Sequence, residues 1–254
     1  NLRQLYFAGG EPLIMDEHYM LLQKCIDDGL ASDIELRYNS NGIEWRDDLF
    51  DLWKEFKLVR FHYSVDSIHE MNDYIRYPSQ WSRTEEVFRI LDEQTGDNVE
   101  ITVACAVQAL NVYYLPDFIK WKVTQGYNKI NMWPFGAGGI NYHFVYHPPH
   151  LNVKVLPEWF KAECRKKYED FYPWWEANWE KSIPAWHKGK VEYEQWRDAD
   201  YGIKRLEGML QFMESEDWSV RLPETKEFIE LCDKQRGLNW KTVFPEMKDI
   251  FKGL

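Results

Sequence analysis

Five short segments with strand-like alternation begin near residues 3, 33, 58, 98 and 129, and an amphipathic helical pattern fills the gaps between them. This βα period of roughly thirty residues constrains the fold more than any other feature. Strands joined through helices run parallel, because each crossover must carry the chain back to the same end of the sheet. The first segment, 3–8 (RQLYFA), is broken by Gly9-Gly10-Glu11-Pro12. Asp16 is the expected cap of the next helix, whose apolar stripe is Tyr19, Leu22, Cys25 and Ile26 and whose natural stop is Gly29. The segment 33–39 closes on Ser40-Asn41-Gly42, and a helix bearing Leu49, Leu52, Trp53 and Phe56 follows.

Two segments alternate cleanly. In 58–66, Val59, Phe61, Tyr63 and Val65 oppose Arg60, His62, Ser64 and Asp66. In 98–108, Val99, Ile101, Val103, Cys105 and Val107 oppose Glu100, Thr102, Ala104, Ala106 and Gln108. Between them a long loop leads to Ser82 and Glu85, read as the capping box of a helix bearing Val87, Ile90 and Leu91. Pro116 opens one more helix, ended by Gly126, and 129–135 (KINMWPF) is the expected fifth strand. A doubly wound sheet buries both faces and reads as continuous apolar runs. Strands with one apolar and one polar face point instead to a partial parallel (β/α) barrel, apolar sides against outer helices and a polar interior. After the hinge-like Gly136-Ala137-Gly138-Gly139 the character changes to a Trp-rich stretch (Trp159, Trp174, Trp175, Trp179, Trp186, Trp196), with helices expected over 157–181, 192–216 and 223–235. The reading divides the α/β chain into a barrel portion, 1–136, and a mainly helical extension, 137–254.

Composition narrows the function. With 31 Lys+Arg against 42 Asp+Glu and a formal charge of −11, the chain lacks the basic face of a nucleic-acid binder. No apolar run approaches the roughly 20 residues of a membrane span, and no signal peptide is visible. Cys25, Cys105, Cys164 and Cys232 have no C-x-x-C spacing, so they read as reduced, buried thiols of a cytoplasmic protein and give no metal site. His143, His147 and His150 lie close together, yet Pro148-Pro149 forbids the helix that would align them, and the segment reads as an aromatic loop. His62 shares a face with Ser64 and Asp66, but alternate positions on one strand are too parallel for a nucleophile–base relay.

Functional groups of parallel barrels gather at the carboxyl ends of the strands. Those ends carry Gly9-Gly10-Glu11-Pro12, Ser40-Asn41-Gly42, Ser64-Val65-Asp66, Gln108 to Asn111, and Trp133-Pro134. Singly, each is a turn or a cap. Together, a strand running into G-G-E-P-L, an S-N-G at the next strand end and an S-x-D at the one after resemble the radical S-adenosylmethionine (SAM) enzymes, nearest the branch with SPASM or twitch-type extensions. The resemblance covers residues 3 to about 135. It implies a radical SAM barrel with SAM and a [4Fe–4S] cluster as cofactors, reductive cleavage of SAM to a 5′-deoxyadenosyl radical, and hydrogen abstraction from a peptide or small-molecule substrate. A reductant protein such as flavodoxin or ferredoxin is implied as partner.

Carried over, the amino group of SAM falls to Gly9, Gly10 and Glu11, with Pro12 stiffening the turn. Its ribose or carboxylate falls to Ser64 and Asp66, with Asn41 and Asn111 lining the same mouth. Arg76 is placed to pair with the SAM carboxylate, and Trp133 with Pro134 to contact adenine. The family's C-x3-C-x2-C cluster loop precedes the Gly-Gly-Glu-Pro strand, and this sequence does not contain it. The expectation is a chain truncated after that loop and inactive alone. Two alternatives compete: a cluster-less binding or interaction protein of the same fold, and an unrelated barrel hydrolase using Glu11 and Asp66 as acid and base.

Overall fold

Alternation puts a run of branched and aromatic side chains on one face of each strand, and the strands assemble in chain order to bury that face. The computed structural model describes residues 2–130, 137–183 and 199–253. Its sheet runs β1 (Gln4–Phe7), β2 (Glu35–Ser40), β3 (Leu58–Ser64), β4 (Val99–Val107) and β5 (Ile140–Phe144), every neighbouring pair parallel. The order never reverses. Right-handed crossovers therefore lay the connecting helices against a single face, which is the winding of a barrel. These helices are α1 (Asp16–Asp27), α2 (Leu49–Lys54), α3 (His69–Ile75), α4 (Trp81–Gln94) and α5 (Leu115–Thr124).

The packed face is aromatic. Tyr38 of β2 meets His18 of α1 and Trp53 of α2, and Tyr63 of β3 meets Phe88 of α4 edge-on. Leu36, Tyr38, Val59, Ile101 and Val103 are wholly buried there. Register carries the polar residues across the other face in rows: Tyr6, Arg37, Arg60 and Glu100 lie side by side, as do Asn39, His62 and Thr102. The first row is tied by charge. Glu35 pairs with Arg37 at 2.6 Å, and Arg60 with Glu100 at 3.0 Å.

The fifth strand departs from the sequence reading. Of 129–135, only Ile130 is seen in the sheet, as an isolated parallel bridge to Ile101; residues 131–136 lie outside the described residues. The strand proper is Ile140–Phe144, with Ile140 opposite Val103. Its I-N-Y-H-F alternation is hidden in the sequence by glycines before it and the Pro-Pro pair after it. Ala137-Gly138-Gly139 form a buried turn, in which the Lys122 amine donates to the Gly138 carbonyl at 2.6 Å. Gly138 has φ 69°, and a Cβ there would come within 3.0 Å of Ile119.

Two caps also differ. Asp16 stands inside the first turn of α1, whose cap position is Met15. α4 begins at Trp81 rather than after Ser82, because the Trp81 ring packs on His69 and Trp121 and so already belongs to the helix. The loop expected before it contains α3.

Beyond the sheet come α6 (Glu158–Asn178), α7 (Ala199–Glu214), α8 (Leu222–Arg236) and α9 (Trp240–Val243). The first three match the expected helices, except that 192–198 lies outside the described residues. Trp175 of α6 is core: its indole donates to the Ala199 carbonyl at 3.0 Å and packs directly on Gly202, where a Cβ would lie only 2.6 Å away. The Tyr168 hydroxyl donates to the Val112 carbonyl, and the Tyr74 hydroxyl of α3 to Asp233 of α8, so these helices brace the loops at the carboxyl end of the sheet. Trp186 and Trp196 lie outside the described residues.

His18 makes this core pH-sensitive. It is buried among Phe7, Tyr19 and Tyr38, and burial pushes its imidazole from 6.5 down to about 4. Below its ordinary value the unfolded chain takes up a proton that the folded chain refuses. Stability at this residue is therefore lost as pH falls from 6.5 towards 4, by up to about 3 kcal/mol. Urea melts across that range should show His18→Gln with a flatter acid limb than the parent; parallel limbs would remove His18 as the cause.

Candidate functional site

The carboxyl ends of β1 to β4 open into a cleft of about 740 Å³. Gly9 and Gly10 turn the chain out of β1 with φ of 84° and 59°, a region other residues adopt only with strain, though a Cβ at either would meet nothing. The turn delivers Glu11 to the end of β2. There the Ser40 hydroxyl donates to one carboxylate oxygen at 2.5 Å and the Asn41 N–H to the other at 3.0 Å. Asn41 is held in its own turn by accepting from the Ile43 N–H at 3.0 Å. Gly42 has φ 58°, and a Cβ there would press on the Tyr63 ring at 3.3 Å. Glu11 and Asn41 both line the cleft, and Pro12 is buried at the start of the turn that follows.

The opposite wall is organised by Asp66. One carboxylate oxygen accepts from the Ala106 N–H at 2.7 Å and the other pairs with the Arg76 Nε at 2.9 Å. The Asp66 N–H donates to Asn72 at 3.1 Å, and its carbonyl accepts from the Asn111 amide at 2.9 Å. Burial pushes the carboxyl above its ordinary range, against the pull of Arg76 and the Ala106 N–H. With both oxygens engaged, Asp66 is poorly placed to act as an acid or base beside Glu11.

Asn111 is turned inward. It is 2% exposed and binds backbone at Asp66, Ala106 and Gln108. Arg76, by contrast, reaches the cleft, and Ser64 lines it with no protein hydrogen bond to its hydroxyl among the described residues. The site thus brings together Glu11, Asn41, Ser64, Asp66 and Arg76, while Asn111 shapes it from behind. Trp133 and Pro134 lie outside the described residues.

Several lining residues escaped the sequence reading. Arg83 donates twice to the Ile43 carbonyl, at 2.9 and 2.8 Å, and so clamps the loop after β2 onto α4. Asn72, Thr84 and Gln80 complete that wall. Their only signal is position: Asn72 and Gln80 fall in the stretch read as loop, and Arg83 and Thr84 in the first turn of the helix read after Ser82.

The radical SAM superfamily model matches residues 1–106. The matched stretch runs through β1, β2 and β3 and into β4, and so takes in Gly9 to Pro12, Ser40, Asn41, Ser64, Asp66 and Arg76. The five-stranded parallel sheet with its helices on one face is consistent with a partial barrel of the radical SAM type. No curated protein and no solved structure matches the chain. Among the described residues no helix is long and apolar enough to cross a membrane.

His143 lies on β5, whereas His150 packs on Phe228, and no group of three His, Cys, Asp or Glu gathers among the described residues.

The ion pair is asymmetric in burial: the Asp66 side chain is 5% exposed and that of Arg76 26%. Removing the arginine strands a buried carboxylate, whereas removing the carboxylate leaves an arginine that water can reach. Arg76→Leu should therefore cost on the order of 3 kcal/mol at neutral pH and Asp66→Asn clearly less. Urea unfolding of the two variants checks the order; equal losses would contradict it.

Proposed function

We propose that the cleft binds SAM and that the chain is the SAM-binding part of a radical SAM enzyme. The observation that carries this reading is the pairing of an anion with a cation across one cleft, inside the stretch that the superfamily model matches. The methionine end of SAM is a zwitterion. Glu11, already positioned by Ser40 and Asn41, accepts from its ammonium, a charge-assisted contact. Arg76, anchored at Nε by Asp66, donates to its carboxylate, and the Ser64 hydroxyl meets a ribose hydroxyl. A [4Fe–4S] cluster held by residues outside these 254 would supply the electron that cleaves SAM, and the resulting radical would abstract hydrogen from a peptide or small molecule.

The cluster itself does not fit the residues of this chain. Cys25, Cys105, Cys164 and Cys232 sit on four separate elements, all buried. Burial pushes the Cys105 and Cys164 thiols well up, away from the thiolate that binds iron. We therefore assign the cluster ligands to a C-x3-C-x2-C loop outside these 254 residues, with an electron donor such as flavodoxin or ferredoxin. The mainly helical extension belongs on this reading to the SPASM or twitch-type branch. The protein works in the cytoplasm, where its thiols stay reduced.

Calorimetric titration of the chain with SAM should give saturable binding, weakened about tenfold or more in Glu11→Gln and about two- to threefold in Ser64→Ala. Absence of saturable binding, or a Glu11→Gln variant that binds as the parent does, would overturn the reading. Anaerobic iron–sulfide reconstitution of these 254 residues should leave no stoichiometric cluster. The coding sequence upstream of Asn1 is the direct check on the missing loop.

A further inference from the structure

The polar face of the sheet encloses a second cavity of about 430 Å³, below the cleft and joined to it at Ser64 and Arg76, which line both. Its charge is one-sided. Among the described residues no aspartate or glutamate lines it, although the chain carries 42 of them and a formal charge of −11. Two arginines and two histidines do: Arg37, Arg76, His62 and His143. Among its other lining residues, Asn39 and Asn141 add amides that can donate.

Both guanidinium groups are oriented from outside the cavity. Glu35 holds Arg37 at 2.6 Å from the amino-end side, and Asp66 holds Arg76 at 2.9 Å from the cleft side. Neither carboxylate is among the lining residues. The side chains thus keep fixed positions while their remaining N–H groups stay available, a pre-organised arrangement for an oxyanion. Register places His143 of β5 opposite Ala106, and Ser64 opposite Ala104; the two alanines leave the space that the ligand takes. The local field is positive enough that His143, Arg37 and Arg60 add to burial in pushing His62 below its ordinary value.

We propose that this inner cavity binds an oxyanionic group, carboxylate or phosphate, of the substrate, with Arg76 and His143 as its principal contacts. Its identity as a substrate pocket rests on the reading of the neighbouring cleft as the SAM site; the anion affinity does not. The volume suits a small acidic metabolite.

The test is calorimetric titration of the whole chain, at constant ionic strength, with glutarate and separately with inorganic phosphate. At least one should bind saturably below about 10 mM. Arg76→Gln and His143→Asn should each weaken that binding about tenfold or more, and Arg37→Gln clearly less. His143 is exposed, so its variant keeps the test valid if Arg76→Gln fails to fold. Binding of glutarate alone assigns a carboxylate, of phosphate alone a phosphoryl group. No saturable binding of either, or binding that Arg76→Gln and His143→Asn both leave untouched, would overturn the site. Anion binding by a chain that fails to bind SAM would sink the proposed function and leave the anion site standing.

Discussion

One buried carboxylate holds the carboxyl end of this sheet together. Asp66 lies just beyond β3; its hydrogen bonds reach β4 through Ala106, α3 through Asn72 and the loop after β4 through Asn111, and its ion pair with Arg76 reaches the cleft. A charge so far from water is tolerated only because every oxygen is matched. That requirement fixes the surroundings: α3 must place Asn72, the next loop must return Arg76, and Asn111 must turn inward. Glu11 is built differently. It sits at the mouth, half-buried, accepting from Ser40 and Asn41 and still facing the cleft. One acid is used up by the fold, and the other is left to a ligand.

The second constraint is winding. Because strand order follows chain order, the helices share one face and the other must be made soluble or filled by side chains. This chain lines it with charged and amide residues in register, a ladder of Glu35, Arg37, Arg60 and Glu100 towards one end and small residues, Ala104 and Ala106, towards the other. The ladder neutralises itself near the amino ends of the strands. Further along, Arg76 enters from the cleft side, with the imidazoles of His62 and His143 beside it. Net charge and local charge therefore point in opposite directions, since −11 describes the outer surface and says nothing of the cavity.

Much of this was legible in the residues because period and face are local properties. The two-way split of 58–66 and 98–108 is the split seen in β3 and β4, and the Gly-Gly turn is demanded by the left-handed φ of both glycines. What was not legible depends on distant partners. Ile140–Phe144 has strand alternation, but glycines and prolines on its flanks outweigh five residues of pattern until β4 is there to pair with. Asp66 reads as a ligand-binding carboxylate from its place after a strand. Only the approach of Ala106 and Arg76, distant in sequence, assigns it to structure. The cap at Gln80 is likewise decided by the rings of His69 and Trp121 packing on Trp81. Trp175 went the other way, because helical spacing alone marks it as core and Gly202 opens the space beneath it.

Arg76 stands where the two cavities meet. Its Nε is spent on Asp66, so the guanidinium cannot swing without stranding a buried carboxylate, a penalty of several kcal/mol that acts as a positional lock. On the proposed reading one planar group then faces the carboxylate of SAM on one side and the oxyanion of the substrate on the other. Two anions sharing a guanidinium are drawn to fixed sites by charge and kept apart by its width, so their separation is set by a side chain anchored in the sheet rather than by a loop. Reactions that transfer hydrogen between two bound molecules depend steeply on that separation. The demand explains why a fold would bury Asp66 at such cost instead of using the same residue, as its sequence position suggests, to touch the ligand itself.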